Sequence, residues 1–215
     1  MMRTQLRTLL QLGAAVLAAA LVAGSAHAVP VLWQIDDSAS SVQVSLPDLG
    51  AVSNVAAVGG MISGDLSATQ ISASGGDVVL LDNLNLTVLG SAVTGSNLGG
   101  MLTGAGTALS GGVADLAGWI LTLNEGSLVS PGLNLNISLA DQPFEFVLPE
   151  ALSTLVDLGG GVFEWTIPLN ASTLLDASAV LPGLMLNVNA SGTLVAQSVA
   201  VPEPGTLALL AVGLL

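Results

Sequence analysis

The sequence predicts an all-β fold, an antiparallel β-barrel or β-sandwich with one short helix, and three observations predict it. Apolar and polar residues alternate with period two in several separate runs. Each run is bounded by Gly, Pro, Asp or Asn, the residues that make turns. Hydrophobic residues reach 52% while charged ones stay at 8%, so Ser, Thr, Asn and Gly must supply the wetted face. A strand with one apolar and one small-polar face belongs in an antiparallel sheet with core on one side and water on the other.

Taken in order, the chain opens on a three-part export signal. Arg3 and Arg7 make a positive start, Leu9 to Val22 is a mostly apolar run, and Ala26-His27-Ala28 is an A-x-A cleavage site. The apolar run is shorter than the ~20 residues a membrane span needs, so a signal helix cleaved after Ala28 is expected rather than an anchor. Residues 1–28 are therefore the signal peptide, and signal peptidase is an expected partner.

The body spans 29–200, or 200 − 28 = 172 residues, which suits one domain with a proper core. Its alternating runs are Val42–Leu46, Leu84–Val88, Leu133–Leu139, Phe163–Ile167 and Leu184–Asn189. Gly95 to Gly118, rich in Gly, Ala, Leu and Ser, reads as long loops or a weak hairpin. Pro149 to Leu158 reads as the short helix: Pro opens it, Glu150 lies in its first turn and Gly159-Gly160-Gly161 stops it. Trp33-Gln34-Ile35 with Ala39-Ser40 has the spacing of Trp165-Thr166-Ile167 with Ala171-Ser172, but one such match does not establish a repeat.

Residues 201–215 form a distinct tail. Val201-Pro202-Glu203-Pro204-Gly205-Thr206 breaks any strand, and the nine apolar or small residues Leu207 to Leu215 can start a helix. Pro202, Glu203 and Pro204, with the apolar run behind them and the signal peptide at the other end, resemble the PEP-CTERM sorting signal. That resemblance implies recognition by a membrane-embedded exosortase-type processing enzyme, a cut near the tripeptide, and delivery to the surface or exterior of a Gram-negative bacterium. No basic cluster follows the run, so the tail reads as truncated or degenerate. Membrane contact through both termini is expected to be transient.

Charge excludes several functions. Arg3 and Arg7 are the only Lys or Arg, and His27 is the only His, so cleavage after Ala28 leaves 15 carboxylates and no cationic side chain. Nucleic-acid binding, which needs Lys or Arg against phosphates, is excluded, as is polybasic attraction to anionic lipid. With no Cys there is no disulfide, thiolate nucleophile or thiolate metal site. A Ser-His-Asp or Ser-Lys nucleophile lacks its base. Gly104-Ala105-Gly106 starts like a dinucleotide fingerprint, but Leu109 stands at the third Gly, so these read as loop glycines.

What remains is weak chemistry. Glu145, Glu150 and Glu164 are the candidates for a glycosidase pair, yet a solvated strand face explains Glu145 and Glu164 equally well. Asp36-Asp37 could attract calcium, although turn-forming Asp is the preferred reading, and Gly75-Gly76-Asp77 is only a fragment of a β-roll repeat. The N-x-S/T triplets at Asn85, Asn136, Asn170 and Asn189 follow from strand-face composition. No cofactor and no catalytic residue is expected; the site residues are the processing positions Ala26, Ala28, Pro202, Glu203 and Pro204.

Trp33-x-Ile35-Asp36, then Val42-x-Val44, then Gly60-x-Ile62-Ser63-Gly64-x-Leu66 resemble the opening of the YceI-like family. That resemblance implies a lipocalin-like barrel whose apolar interior holds an isoprenoid chain; Pro47 and Asp48 replace the aromatic and basic positions usual there. The first expectation is a non-enzymatic surface or matrix protein, with cell-surface polysaccharide as a candidate partner. The alternative is a lipocalin-like carrier of an apolar ligand.

Overall fold

The alternating runs become strand for the most part; Leu133 instead ends a 3-10 turn, and Asn134, Leu139 and Leu184 lie outside the strands. The computed structural model describes residues 28–80, 83–178 and 182–200. Its strands are β1 (Val29–Ile35), β2 (Ser41–Leu46), β3 (Ala51–Val52), β4 (Ala56–Leu66), β5 (Gln70–Gly75), β6 (Val78–Leu80), β7 (Leu84–Val88) and β8 (Ser91–Ser110). They continue as β9 (Val113–Asp115), β10 (Ile120–Ser130), β11 (Leu135–Ser138), β12 (Phe144–Val147), β13 (Leu152–Gly159), β14 (Val162–Asp176) and β15 (Met185–Ala200). All belong to one 15-stranded antiparallel sheet. Among the described residues the helical elements are two 3-10 turns, Pro47–Leu49 and Pro131–Leu133.

The pairings return on themselves. β8 pairs β5, and the ladders then run through β4, β1, β15, β14, β12 and β10 back to β8. The longest ladder joins β14 to β15, with Glu164 opposite Gln197 at one end and Asp176 opposite Met185 at the other. Side-chain alternation decides which face turns inward. On β15 Leu186, Val188, Ala190, Leu194, Ala196 and Ser198 are buried, and on β14 Trp165, Ile167, Leu169, Ala171 and Leu175. Polar partners such as Gln197 and Asn170 stay exposed. The buried apolar residues form one cluster that runs the length of the sheet.

Two expectations are corrected here. Pro149 to Leu158 is not a helix: Pro149 and Glu150 lie in a loop, and Leu152–Gly159 is β13. Its backbone is claimed on both sides, by β14 (Leu155 opposite Trp165) and by β9 (Ser153 opposite Ala114). An isolated helix of ten residues is marginal in water, so two ladders outcompete it. The Gly159-Gly160-Gly161 run is a turn with φ of 88°, 67° and 82°, joining β13 to β14. Gly104 and Gly106 are likewise not loop residues, because they lie inside β8. Of the two readings open for Gly95 to Gly118, the hairpin is the one formed, by β8 and β9 across Gly111-Gly112. The expected signal and tail helices lie outside the described residues.

Candidate functional site

Of the processing positions, Ala26, Pro202, Glu203 and Pro204 lie outside the described residues. Ala28 is exposed and immediately precedes β1. β1 and β15 are antiparallel neighbours with Val31 opposite Ala200, so the chain enters and leaves the sheet at the same end. That end carries an open groove of about 620 Å³ whose lining includes Val29, Val31, Leu155, Phe163 and Val199.

The carboxylates do not converge as a glycosidase pair requires. Val147 on β12 faces Ser172 on β14, so Glu145 aligns near Leu174, ten residues along the strand from Glu164. At strand rise that is roughly 30 Å, against the ~5–10 Å that brackets a glycosidic bond. Glu150 is exposed in the loop before β13. Glu164 accepts a hydrogen bond from Gln197 Nε2 at 3.4 Å, its neighbour across the ladder.

Asp36 is occupied by its own turn. Its Oδ1 accepts from Ser38 Oγ at 2.6 Å, Ser38 N at 2.9 Å and Ala39 N at 3.3 Å. The Ser38 hydroxyl, then the Ser38 amide, hold this carboxyl below its ordinary pKa. Asp176 is shifted the same way by Ser178. Asp37 is exposed beside Asp36. Among the described residues no three His, Cys, Asp or Glu side chains gather as a metal would need.

The buried serines serve the backbone. Ser40 Oγ donates to Val195 O at 3.1 Å and accepts from Val195 N at 2.8 Å, tying the β1–β2 turn to β15. Ser130 Oγ donates to Ala92 O at 2.7 Å and Ser153 Oγ to Ala114 O at 3.1 Å. Ser198 Oγ accepts from Phe163 N at 2.8 Å. Buried amides and carbonyls need such partners wherever the ladder is interrupted.

Sequence reasoning missed two features of the interior. First, the three tryptophans pack together, tilted for Trp33–Trp165 with ring centroids 5.2 Å apart and edge-to-face for Trp119–Trp165 at 5.7 Å. Trp119 Nε1 donates to Thr107 Oγ1 at 2.8 Å, and its ring covers Gly104, where a Cβ would overlap the ring carbons. The Nε1 atoms of Trp33 and Trp165 are buried without a partner. The matching Trp-x-Ile spacing is visible here as like environments, because Trp33 and Trp165 both lie on strands that flank β15.

Second, toward the other end of the sheet lies an apolar cavity of about 110 Å³ with no polar lining. Leu98, Leu139 and Phe146, all at most 1% exposed, belong to its wall. Leu49, Leu89, Leu133 and Leu184, from four separate turns, also line it. The sequence does hold a signal: Pro47-Asp48-Leu49, Pro131-Gly132-Leu133 and Pro182-Gly183-Leu184 share one Pro-x-Leu pattern. Compared with known protein families, curated proteins and solved structures, the chain matches none.

Proposed function

We propose that this chain is an exported, non-enzymatic protein of the cell surface or extracellular matrix, trimmed after Ala28 and sorted through its Pro-Glu-Pro tail by an exosortase-type enzyme. The observation that carries the reading is the fit between signals and strands. The cleavage site ends at Ala28, immediately before β1, and the tripeptide begins at Pro202, just past the end of β15 at Ala200. Neither cut would remove a residue that the sheet pairs. Because β1 and β15 are antiparallel neighbours, the first and last strands of the body begin and end at one end of the sheet, which suits processing at both termini. We read the circuit of ladders as a flattened barrel, a form that suits a surface protein because closure leaves few edges for aggregation.

The carrier reading draws support from the apolar cavity, whose volume suits a short chain better than a long isoprenoid. Sites for drug-sized ligands run to ~300–1,000 Å³, and this cavity holds about 110 Å³. The test is intact mass of the protein recovered from its host, with solvent extraction alongside. Loss of residues 1–28 and a cut near Pro202 are expected, with no stoichiometric long-chain lipid in the extract. An uncut C-terminus sinks the sorting reading, and an extracted isoprenoid restores the carrier.

A further inference from the structure

The cavity has an architecture of its own. Two of its leucines sit on matching 3-10 turns: Pro47–Leu49 is closed by Gly50 at φ 62°, and Pro131–Leu133 by Asn134 at φ 50°. In both, the amide after the leucine donates to the proline carbonyl, at 3.1 Å and 3.2 Å. The two-residue turn between β7 and β8 contributes Leu89, with φ of 49° and 76% exposure. Positive φ at both Leu89 and Gly90 is the pattern of a type I′ turn, which favours Asn-Gly. A bulky apolar residue in that conformation is rare. Here it combines strain, exposure and a place beside an apolar cavity.

Charge narrows the ligand. Asp48, next to Leu49, accepts from Asn187 N at 2.8 Å and Asn187 Nδ2 at 2.9 Å, which holds its carboxylate on the outer face of β15, where Asn187 is exposed between the inward Leu186 and Val188. Asp176, between the lining residues Leu175 and Ala177, is exposed on the outer face of the strand, where Ser178 N donates to it at 2.9 Å. The sequence from 29 onward offers no cation to balance a ligand carboxylate. With no polar atom in the lining, a ligand's polar end has to remain outside.

Size sets the rest. An apolar cavity of ~150 Å³ stays dry and binds benzene, and this one is somewhat smaller at about 110 Å³.

We propose that the cavity binds the hydrocarbon end of a neutral amphiphile, about a four-carbon segment, entering past Leu89 with its uncharged polar end left in water. This deepens the carrier reading and rests on it only in taking the cavity as a ligand site. A fatty carboxylate is disfavoured, because no side chain from residue 29 onward carries a cation to hold its head and the surface of the body is acidic throughout.

The test is saturation-transfer NMR on the full chain with 1-hexanol as probe and hexanoate as comparison at neutral pH. Transfer should be strongest at the terminal methyl of hexanol and fade toward the hydroxyl carbon, and hexanoate should bind about tenfold more weakly. Val93→Phe, which fills the cavity from β8, should abolish transfer. Leu89→Asn supplies the favoured turn residue, so it keeps the fold even if the filled variant does not. It should weaken hexanol about fivefold through lost apolar contact. Uniform transfer along the chain, equal binding of hexanoate, or no effect of Leu89→Asn overturns the proposal. None of these outcomes touches the sorting reading, which intact mass decides separately.

Discussion

Trp119 lies where Gly104 has no side chain, and that gap is what lets three indoles pack together in the core. Gly104→Ala puts a methyl into the ring, which must swing away and drop its bond to Thr107. We expect a loss of about 2–3 kcal/mol in urea unfolding, the upper range for overpacking, together with a red-shifted tryptophan emission. Asp36 gives the residue scale its pH dependence. Its folded pKa lies below the ordinary value because Ser38 and Ala39 donate to it. Such a depressed carboxylate contributes stability at neutral pH and loses it as pH falls through the folded pKa. Asp36→Ala should therefore lower the melting temperature at pH 7 and narrow the gap to wild type in strong acid; an unchanged gap refutes the assignment. Asp36 is legible in the sequence as a turn residue. The Gly104–Trp119 contact is not, because the two belong to different segments and nothing local links them.

At the scale of elements, the legible strands are those whose alternation matches one buried face. Leu84–Val88 is β7 with the same limits, and Val42–Leu46 is β2 less one residue. Phe163–Ile167 reads short because Pro168 looks like a stop, yet β14 continues through it to Asp176. β13 misleads for a different reason. Its exposed face carries Leu152, Val156 and Leu158, so the apolar spacing imitates a helix. Only the distant partners β9 and β14 reveal a strand. The first strand makes the clearest prediction at this scale. β1 lies between β4 and β15 and places Trp33 and Ile35 in the core. Deleting residues 29–35 should abolish cooperative unfolding in circular dichroism, whereas deleting 201–215 should leave the melting temperature unchanged. A folded protein without β1 would contradict the ladder assignments.

Over the whole molecule, charge acts with one sign. From residue 29 onward the sequence holds 15 acidic and no basic side chains, so no attractive ion pair between side chains of the body is available to be weakened by salt. Screening can only relieve repulsion. Raising sodium chloride from about 0.01 to 0.15 M shortens the screening length from ~30 to ~8 Å, and the melting temperature should rise. A fall would show that repulsion between these carboxylates is not a significant strain on the fold. Composition alone makes this property legible. The Pro-x-Leu triplets are visible in the sequence but the cavity is not, since spacing along a chain does not say which turns meet in space. The adjacency of β1 and β15 also orders events in time. Ser40 bonds Val195 across 155 positions, and Val31 faces Ala200. At ~5–20 residues per second of synthesis, the first strand waits roughly 8–30 s for its last neighbour. Until then the circuit stays open, and the sheet acquires its final form only when its last strand is free.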